Sequence, residues 1–168
     1  GDVFVGATLL NSPTDDHAGM GRILQFDADL NEKGVLWVEG TTHLVYGLTF
    51  APDGTLWAAT SEGIYRKNPG EGFRLADAPK PRARLIAMSA LTDSRGHVWF
   101  GGYESGLYRH DGRGWLHLDS TRGLPDDTAY GLVEDAQQRL WISHGRGLYT
   151  LSLAEADRLA ADPSAMAK

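Results

Sequence analysis

A spacing constrains this chain more than any single motif. Leu56-Trp57, Val98-Trp99 and Leu140-Trp141 put an apolar residue and a tryptophan in the same local frame, and the three tryptophans stand 42 positions apart twice over. Self-similarity at a fixed period of that size marks a repeat architecture. Each tryptophan follows a turn signal, at Asp53-Gly54, Asp93 to Gly96 and Asp135 to Gln138. Each precedes a second anchor, at Gly63-Ile64-Tyr65, Gly106-Leu107-Tyr108 and Gly147-Leu148-Tyr149.

Strand-like runs fill each period. The second repeat, residues 44–78, is complete, with strands predicted over 46–51, 55–60, 64–67 and 72–76 and Pro52-Asp53-Gly54 as a hairpin turn. The third, 86–120, repeats this with strands at 88–92, 97–102, 107–110 and 114–118. The fourth, 127–152, supplies three, at 129–134, 139–143 and 148–151. The first, 1–40, also supplies three, at 2–9, 22–28 and 34–40, and carries one polar insertion from Asn11 to Gly21. Val3-Phe4 occupies there the place that Leu56-Trp57 occupies later.

Four short antiparallel strands per unit of this length define a β-propeller blade, so the chain is read as an all-β propeller of about four blades. Repeats built from helices are excluded, because each of their units needs one or two helices. A blade cannot bury both of its faces alone. Trp57, Trp99 and Trp141 are therefore expected between blades rather than on a sugar-stacking surface, each burial contributing roughly 1.5 to 3 kcal/mol.

Beyond Leu151 the pattern turns helical. Ser152 with Glu155 three residues on is a capping box, Leu153, Ala156, Leu159 and Ala160 share one face, and Asp162-Pro163 stops the run. A short helix over 153–162 is predicted, either packed on a sheet edge or leading into a further domain. The strands then run three, four, four, three: the first blade lacks its innermost strand and the fourth its outermost. These deficits lie in different blades and cannot complement each other. The chain is therefore expected to be a segment of a larger propeller or half of an oligomeric ring, with further blades in the same protein or another chain.

The fourth unit reads Gly123-Leu124-Pro125, a polar stretch, an apolar strand ending at Asp135, a turn, Leu140-Trp141-Ile142 and Gly147-Leu148-Tyr149. In this it resembles the two-component regulator propeller repeat. The third unit matches from Leu91 to Tyr108, with Arg84-Leu85-Ile86 standing where Gly-Leu-Pro would be; the second matches from Gly47 to Tyr65 and lacks that tripeptide too. The first departs most, and residues 1–28 look closer to sugar-lactone or streptogramin-lyase-like propellers. The resemblance covers about three-quarters of the chain. It implies an extracytoplasmic sensory domain of a bacterial signalling protein, periplasmic or extracellular, that binds a small molecule or glycan fragment and has no catalytic residues.

Propeller geometry places candidate residues where the repeat motif does not. The loop leading into the first strand of a blade and the turn between its second and third strands emerge on one face, where residues of different blades converge. The residues so placed are Asp15, Asp16 and His17 in the insertion, Glu39 and His43, Glu62, Arg82 and Arg84, Tyr103 and Glu104, Asp126 and Asp127, and His144 and Arg146. Such groups suit hydroxyls, carboxylates or a metal. Asp15, Asp16, Glu39 and Asp126 offer hard oxygen ligands to Ca²⁺, and His17, His43 and His144 suit a transition metal. An alternative function is a propeller enzyme of the lactonase or lyase type, with Glu39, His43, Asp126 and His144 around a metal at the channel mouth. No other cofactor is indicated.

Other classes find no support. Gly19-Met20-Gly21 is a fragment of a dinucleotide fingerprint followed by a strand, and no phosphate loop, nucleophile elbow or His-Glu-x-x-His is present. The net charge of −6 is spread out, which argues against a nucleic-acid partner. No run approaches the roughly 18 apolar residues of a membrane span. Cysteine is absent, so there is no thiol chemistry. The chain opens on Gly1-Asp2 without a methionine, as expected of a processed or excised start.

Overall fold

The computed structural model describes residues 1–7, 21–38, 44–79 and 84–167. Four separate antiparallel sheets follow one another, each a meander whose strand order is the chain order. The first holds β1 (Val3–Ala7), β2 (Gly21–Phe26) and β3 (Glu32–Val38). The second holds β4 (Val45–Phe50), β5 (Leu56–Thr60), β6 (Gly63–Lys67) and β7 (Arg74–Leu75). The third holds β8 (Ala87–Thr92), β9 (Val98–Gly102), β10 (Leu107–His110) and β11 (Trp115–Leu118). The fourth holds β12 (Gly131–Glu134), β13 (Arg139–His144) and β14 (Gly147–Ser152), and α1 (Leu153–Ala161) follows directly. The fold is an all-β propeller arrangement of four blades with a short C-terminal helix. Among the described residues, no helix is long and apolar enough to cross a membrane.

The turn between the first and second strands is built identically three times. Ala51, Asp93 and Asp135 each donate their N–H to the carbonyl four residues on, at 2.9 Å in all three blades. The residue that closes the turn sits in the left-handed region, as Gly54 (φ 84°), Gly96 (φ 84°) and Gln138 (φ 57°). Glycine is suited to that conformation because it has no Cβ. The period therefore records a backbone geometry as well as a tryptophan.

Trp57 lies 3% exposed between the second and third blades. Its ring meets Phe100 at 5.7 Å and Trp115 edge-on at 5.8 Å. Trp99 is fully buried between the third and fourth blades, in a cluster with Leu118, Leu140, Ile142 and Leu151. Phe4 fills the equivalent position in the first blade, 5.2 Å from Phe50. Trp141 departs from the expectation. It is 39% exposed, and among the described residues no further sheet packs against it.

The third and fourth blades approach closely. A Cβ at Gly101 would lie 2.4 Å from the carbonyl oxygen of Ala129 in the next blade. The helix is capped as its sequence requires, Ser152 Oγ accepting the N–H of Glu155 at 3.1 Å. Its Leu153, Ala156 and Leu159 are wholly buried in the cluster around Trp99, so the helix packs against the third and fourth blades.

Candidate functional site on the loop face

Backbone hydrogen bonds tie the lead-in loops to the second-to-third-strand turns on one face. Tyr103 N–H donates to Ile86 C=O at 2.9 Å, Gly106 N–H to Asp127 C=O at 2.6 Å and Ala129 N–H to Gly102 C=O at 2.9 Å. The third blade's turn thus reaches both its own blade's lead-in loop and that of the fourth blade.

The densest group of functional side chains sits on the fourth blade. Asp126 accepts the N–H of Thr128 at 2.9 Å, which points its carboxylate across the blade. His144 Nδ1 and Arg146 Nη2 each lie 3.3 Å from Asp126 Oδ2. These contacts, led by the Thr128 N–H and then the His144 ring, hold the Asp126 carboxyl below the usual range. The ring of Tyr149 stands edge-on to His144 at 5.5 Å. Among the described residues the Tyr149 hydroxyl is buried with no hydrogen-bond partner. Burial, reinforced by the charges of Asp126 and Asp127, pushes its pKa far up, so the phenol keeps its proton. The group is a carboxylate, an imidazole and a guanidinium beside a neutral, unused O–H donor.

Two smaller groups lie on neighbouring blades. Arg84 pairs with Glu62 and donates from Nε to the Ser61 carbonyl at 3.0 Å, bridging the second blade's turn and the third blade's lead-in loop. Tyr103 is 40% exposed beside Glu104, whose charge, followed by the neighbouring Tyr130, raises its phenol. Glu104 takes a left-handed φ of 50° and donates its N–H to Thr128 Oγ1 at 3.2 Å. Asp127 faces the other way: its carboxylate accepts from the N–H and the hydroxyl of Ser120, at 2.5 and 2.9 Å, and so organises the 3₁₀ turn at Ser120–Arg122.

Asp15, Asp16, His17, Glu39, His43 and Arg82 lie outside the described residues. Among the described residues, no three His, Asp or Glu side chains converge where a metal could be held. Tyr149 and Thr128 join the fourth-blade group without having been singled out by sequence. Tyr149 is indistinguishable there from Tyr65 and Tyr108, which hold the same repeat position; only its proximity to His144 and Asp126 sets it apart.

A cleft of about 250 Å³ opens on the opposite side, between the second and third blades. Trp57, Asp53, Arg66 and His110 line it. Among the described residues the buried Trp57 indole N–H has no acceptor. Trp99 and Trp141 do, each donating at 2.8 Å to the aspartate six residues earlier, Asp93 and Asp135. Ala51 stands at that position in the second blade.

The fold is that of a β-propeller with a polar loop face. No protein-family model matches the sequence, and no curated protein matches it. Solved structures are similar in fold. One is PorZ, an essential surface component of the type-IX secretion system of Porphyromonas gingivalis, with a TM-score of 0.64 at 14% identity over 95% of this chain and 26% of that one. Another is the extracellular domain of a hybrid two-component system of B. thetaiotaomicron, with a TM-score of 0.63 at 14% identity over 86% of this chain and 21% of that one. A third is a protein described as a gluconolactonase, with a TM-score of 0.58 at 14% identity over 79% of this chain and 45% of that one. The chain thus spans between about a fifth and under a half of the structures it resembles.

Proposed function

We propose that this chain belongs to the sensory or interaction domain of an extracytoplasmic bacterial signalling protein and that its loop face binds a polar small molecule or glycan fragment. The observation that carries this reading is the fourth-blade group. Asp126 and Arg146 offer an acceptor and a donor to neighbouring hydroxyls, and the Tyr149 O–H lacks an acceptor at a cost of about 1 to 3 kcal/mol. A ligand oxygen would recover that cost. The Tyr103 ring beside Glu104 adds an exposed aromatic edge one blade away. Likeness in fold to the extracellular domain of a two-component system supports the setting.

A glycan array followed by calorimetric titration tests the reading. Asp126→Asn and Tyr149→Phe should each weaken binding at least about tenfold, the loss of one charged or one buried hydrogen bond. Tyr149→Phe should leave the free protein as stable as before or more so, since it removes an unused buried donor. A ligand that binds both variants as well as the parent, or an array with no hit, would sink the reading.

The second reading is a propeller enzyme with a metal held by Glu39, His43, Asp126 and His144; Asp126 and His144 do stand side by side, 3.3 Å apart, while Glu39 and His43 lie outside the described residues. Calorimetry with Ca²⁺, Mn²⁺ and Zn²⁺ separates the two. Metal binding lost in Asp126→Asn, together with lactone turnover, would support the enzyme; no heat with any of the three ions would remove it.

A further inference from the structure

We propose that the cleft between the second and third blades binds a small carboxylate anion, whose oxygens stand in for two side-chain carboxylates that the third blade has and the second lacks.

The third blade shows what a tryptophan and an arginine at these repeat positions use. Trp99 and Arg109 are cross-strand partners on β9 and β10, with the guanidinium 5.6 Å from the ring. Asp93 accepts the indole N–H at 2.8 Å, and Asp157 accepts from the guanidinium at 2.6 Å. Trp57 and Arg66 form the same cross-strand pair on β5 and β6, with the guanidinium 6.0 Å from the ring. Ala51 stands where Asp93 does, and its methyl group accepts nothing. Among the described residues the buried Trp57 N–H has no partner, and no carboxylate pairs with Arg66 as Asp157 pairs with Arg109. Trp141 on the fourth blade has its aspartate, so the second blade is the exception. A buried N–H without an acceptor is costly and uncommon.

Space accompanies the missing groups. Ala51, Trp57 and Arg66 all line the cleft of about 250 Å³, and every residue that lines it is described. It lies between two blades that each have a neighbour on both sides. Two oxygens sharing one negative charge match one N–H and one guanidinium, the pairing that charge-assisted hydrogen bonds favour. The aspartates around the cleft are engaged elsewhere. Asp53 accepts the N–H of Thr55 at 2.9 Å, and Asp111 accepts those of Arg113 and Gly114 at 2.9 and 2.8 Å. Asp77 accepts the Trp115 indole N–H at 3.4 Å. Burial lowers the pKa of His110, whose ring lies 5.1 Å from that of Trp57, so it stays neutral at pH 7 and adds no charge. The charges of these aspartates oppose a dianion such as phosphate more than a monoanion, which selects a carboxylate and limits its affinity to a Kd on the order of 1 mM.

The indole N–H resonance of Trp57 in the isotope-labelled chain reads the site directly. Sodium acetate should move it downfield and saturate, while the Trp99 resonance stays in place and sodium chloride at the same ionic strength moves neither. Ala51→Asp supplies the acceptor from within the chain, so its Trp57 resonance should start downfield and no longer respond to acetate. Arg66→Gln should weaken acetate binding at least about tenfold. It lies at an exposed position and carries the test should Ala51→Asp fail to fold. A parallel titration with glucuronate separates two sources of the carboxylate. Tighter binding than acetate assigns the rest of the cleft to sugar hydroxyls, and equal or weaker binding assigns the site to short acids; both uphold a carboxylate site. A Trp57 resonance unmoved by roughly 100 mM acetate would overturn the proposal. So would an equal response to neutral acetamide, inorganic phosphate bound more tightly than acetate, or an acetate response that persists in Ala51→Asp or is undiminished in Arg66→Gln.

Discussion

The indole N–H of Trp99 donates to the carboxylate of Asp93, six residues earlier, and both side chains are buried in the third blade. The same carboxylate accepts the N–H of Arg95 at 2.9 Å and of His97 at 2.8 Å and lies 3.1 Å from His97 Nδ1. Asp93 thereby locks the first turn of the blade onto the tryptophan that packs against the next blade. Asp93→Ala would leave several donors without an acceptor, each loss worth about 1.5 to 3 kcal/mol when the acceptor is charged. The losses share one group and do not add fully, so a destabilisation of about 3 to 5 kcal/mol is expected in urea unfolding. Asp93→Asn, which keeps one carbonyl oxygen, should lose less.

The second blade offers the converse experiment. Ala51 stands where Asp93 and Asp135 stand, its backbone makes the same turn hydrogen bond, and Trp57 has no indole acceptor among the described residues. Ala51→Asp should supply one beside an existing cleft and raise stability by about 1 kcal/mol at neutral pH. Asp53, two residues on and already bonded to Thr55 N–H, will oppose the new charge and limit the gain. Comparing Ala51→Asp with Ala51→Asn by urea unfolding separates acceptor from charge.

The blades were legible in the sequence because the period repeats three local requirements at once: an apolar pair, a left-handed turn residue and a second glycine anchor. Strand positions therefore follow from chain-local geometry. Trp141 was not legible, since a residue's burial between blades depends on whether another blade follows it, and the motif is the same in either case. The site was legible only to the level of a face. Asp126, His144 and Arg146 do meet on the fourth blade. Asp127 is adjacent in sequence, yet it turns to Ser120, because one backbone step reverses the direction of the side chain. Tyr149 carried no distinguishing signal, as Tyr65 and Tyr108 hold the same repeat position.

Asp135 should shape the acid limb of stability. The Trp141 indole donor lowers its carboxyl most, with further help from the Arg139 N–H and side chain, taking it from 3.8 to about 2. A carboxyl lowered on folding contributes stability that is present above its unfolded value and is lost as pH falls through its folded one. The loss therefore falls between pH 3.8 and about 2. Unfolding followed across that window should show a shallower dependence in Asp135→Asn than in the parent; identical slopes would show that the carboxylate is not linked to folding.

Gly101 reports how tightly neighbouring blades approach. A methyl group there would meet the Ala129 carbonyl oxygen at 2.4 Å and the Ser89 hydroxyl at 2.6 Å. Ser89 can rotate away, but the Ala129 carbonyl belongs to backbone held by its N–H bond to Gly102. Gly101→Ala should then force the third and fourth blades apart and cost about 1 to 3 kcal/mol, the usual range for overpacking. Gly114→Ala, where an added Cβ meets nothing within 4 Å, is the matched control and should change stability by no more than about 0.5 kcal/mol in the same urea assay.

Asp157 fastens the terminal helix to the third blade. One carboxylate oxygen lies 2.6 Å from Arg109 Nη1 and the other 2.5 Å from Arg95 Nη1, so a single side chain on α1 serves two cations. The two pairs are not equivalent. The Arg109 side chain is 4% exposed and also stacks 5.6 Å from the Trp99 ring, whereas the Arg95 side chain is 33% exposed and has Gln138 as a second partner. Asp157→Ala would strand the buried Arg109 charge, and breaking a buried pair from one side costs about 3 to 5 kcal/mol; partial exposure of Asp157 places the expected loss at the lower end, about 3 kcal/mol. Arg95→Ala should cost no more than about 1 kcal/mol, as for an exposed pair. Hydrogen exchange should show the same asymmetry: protection of residues 157–161 falls in Asp157→Ala and stays near the parent value in Arg95→Ala. Equal loss in the two variants would mean that the helix is fastened by charge at its surface and not by the guanidinium beneath it.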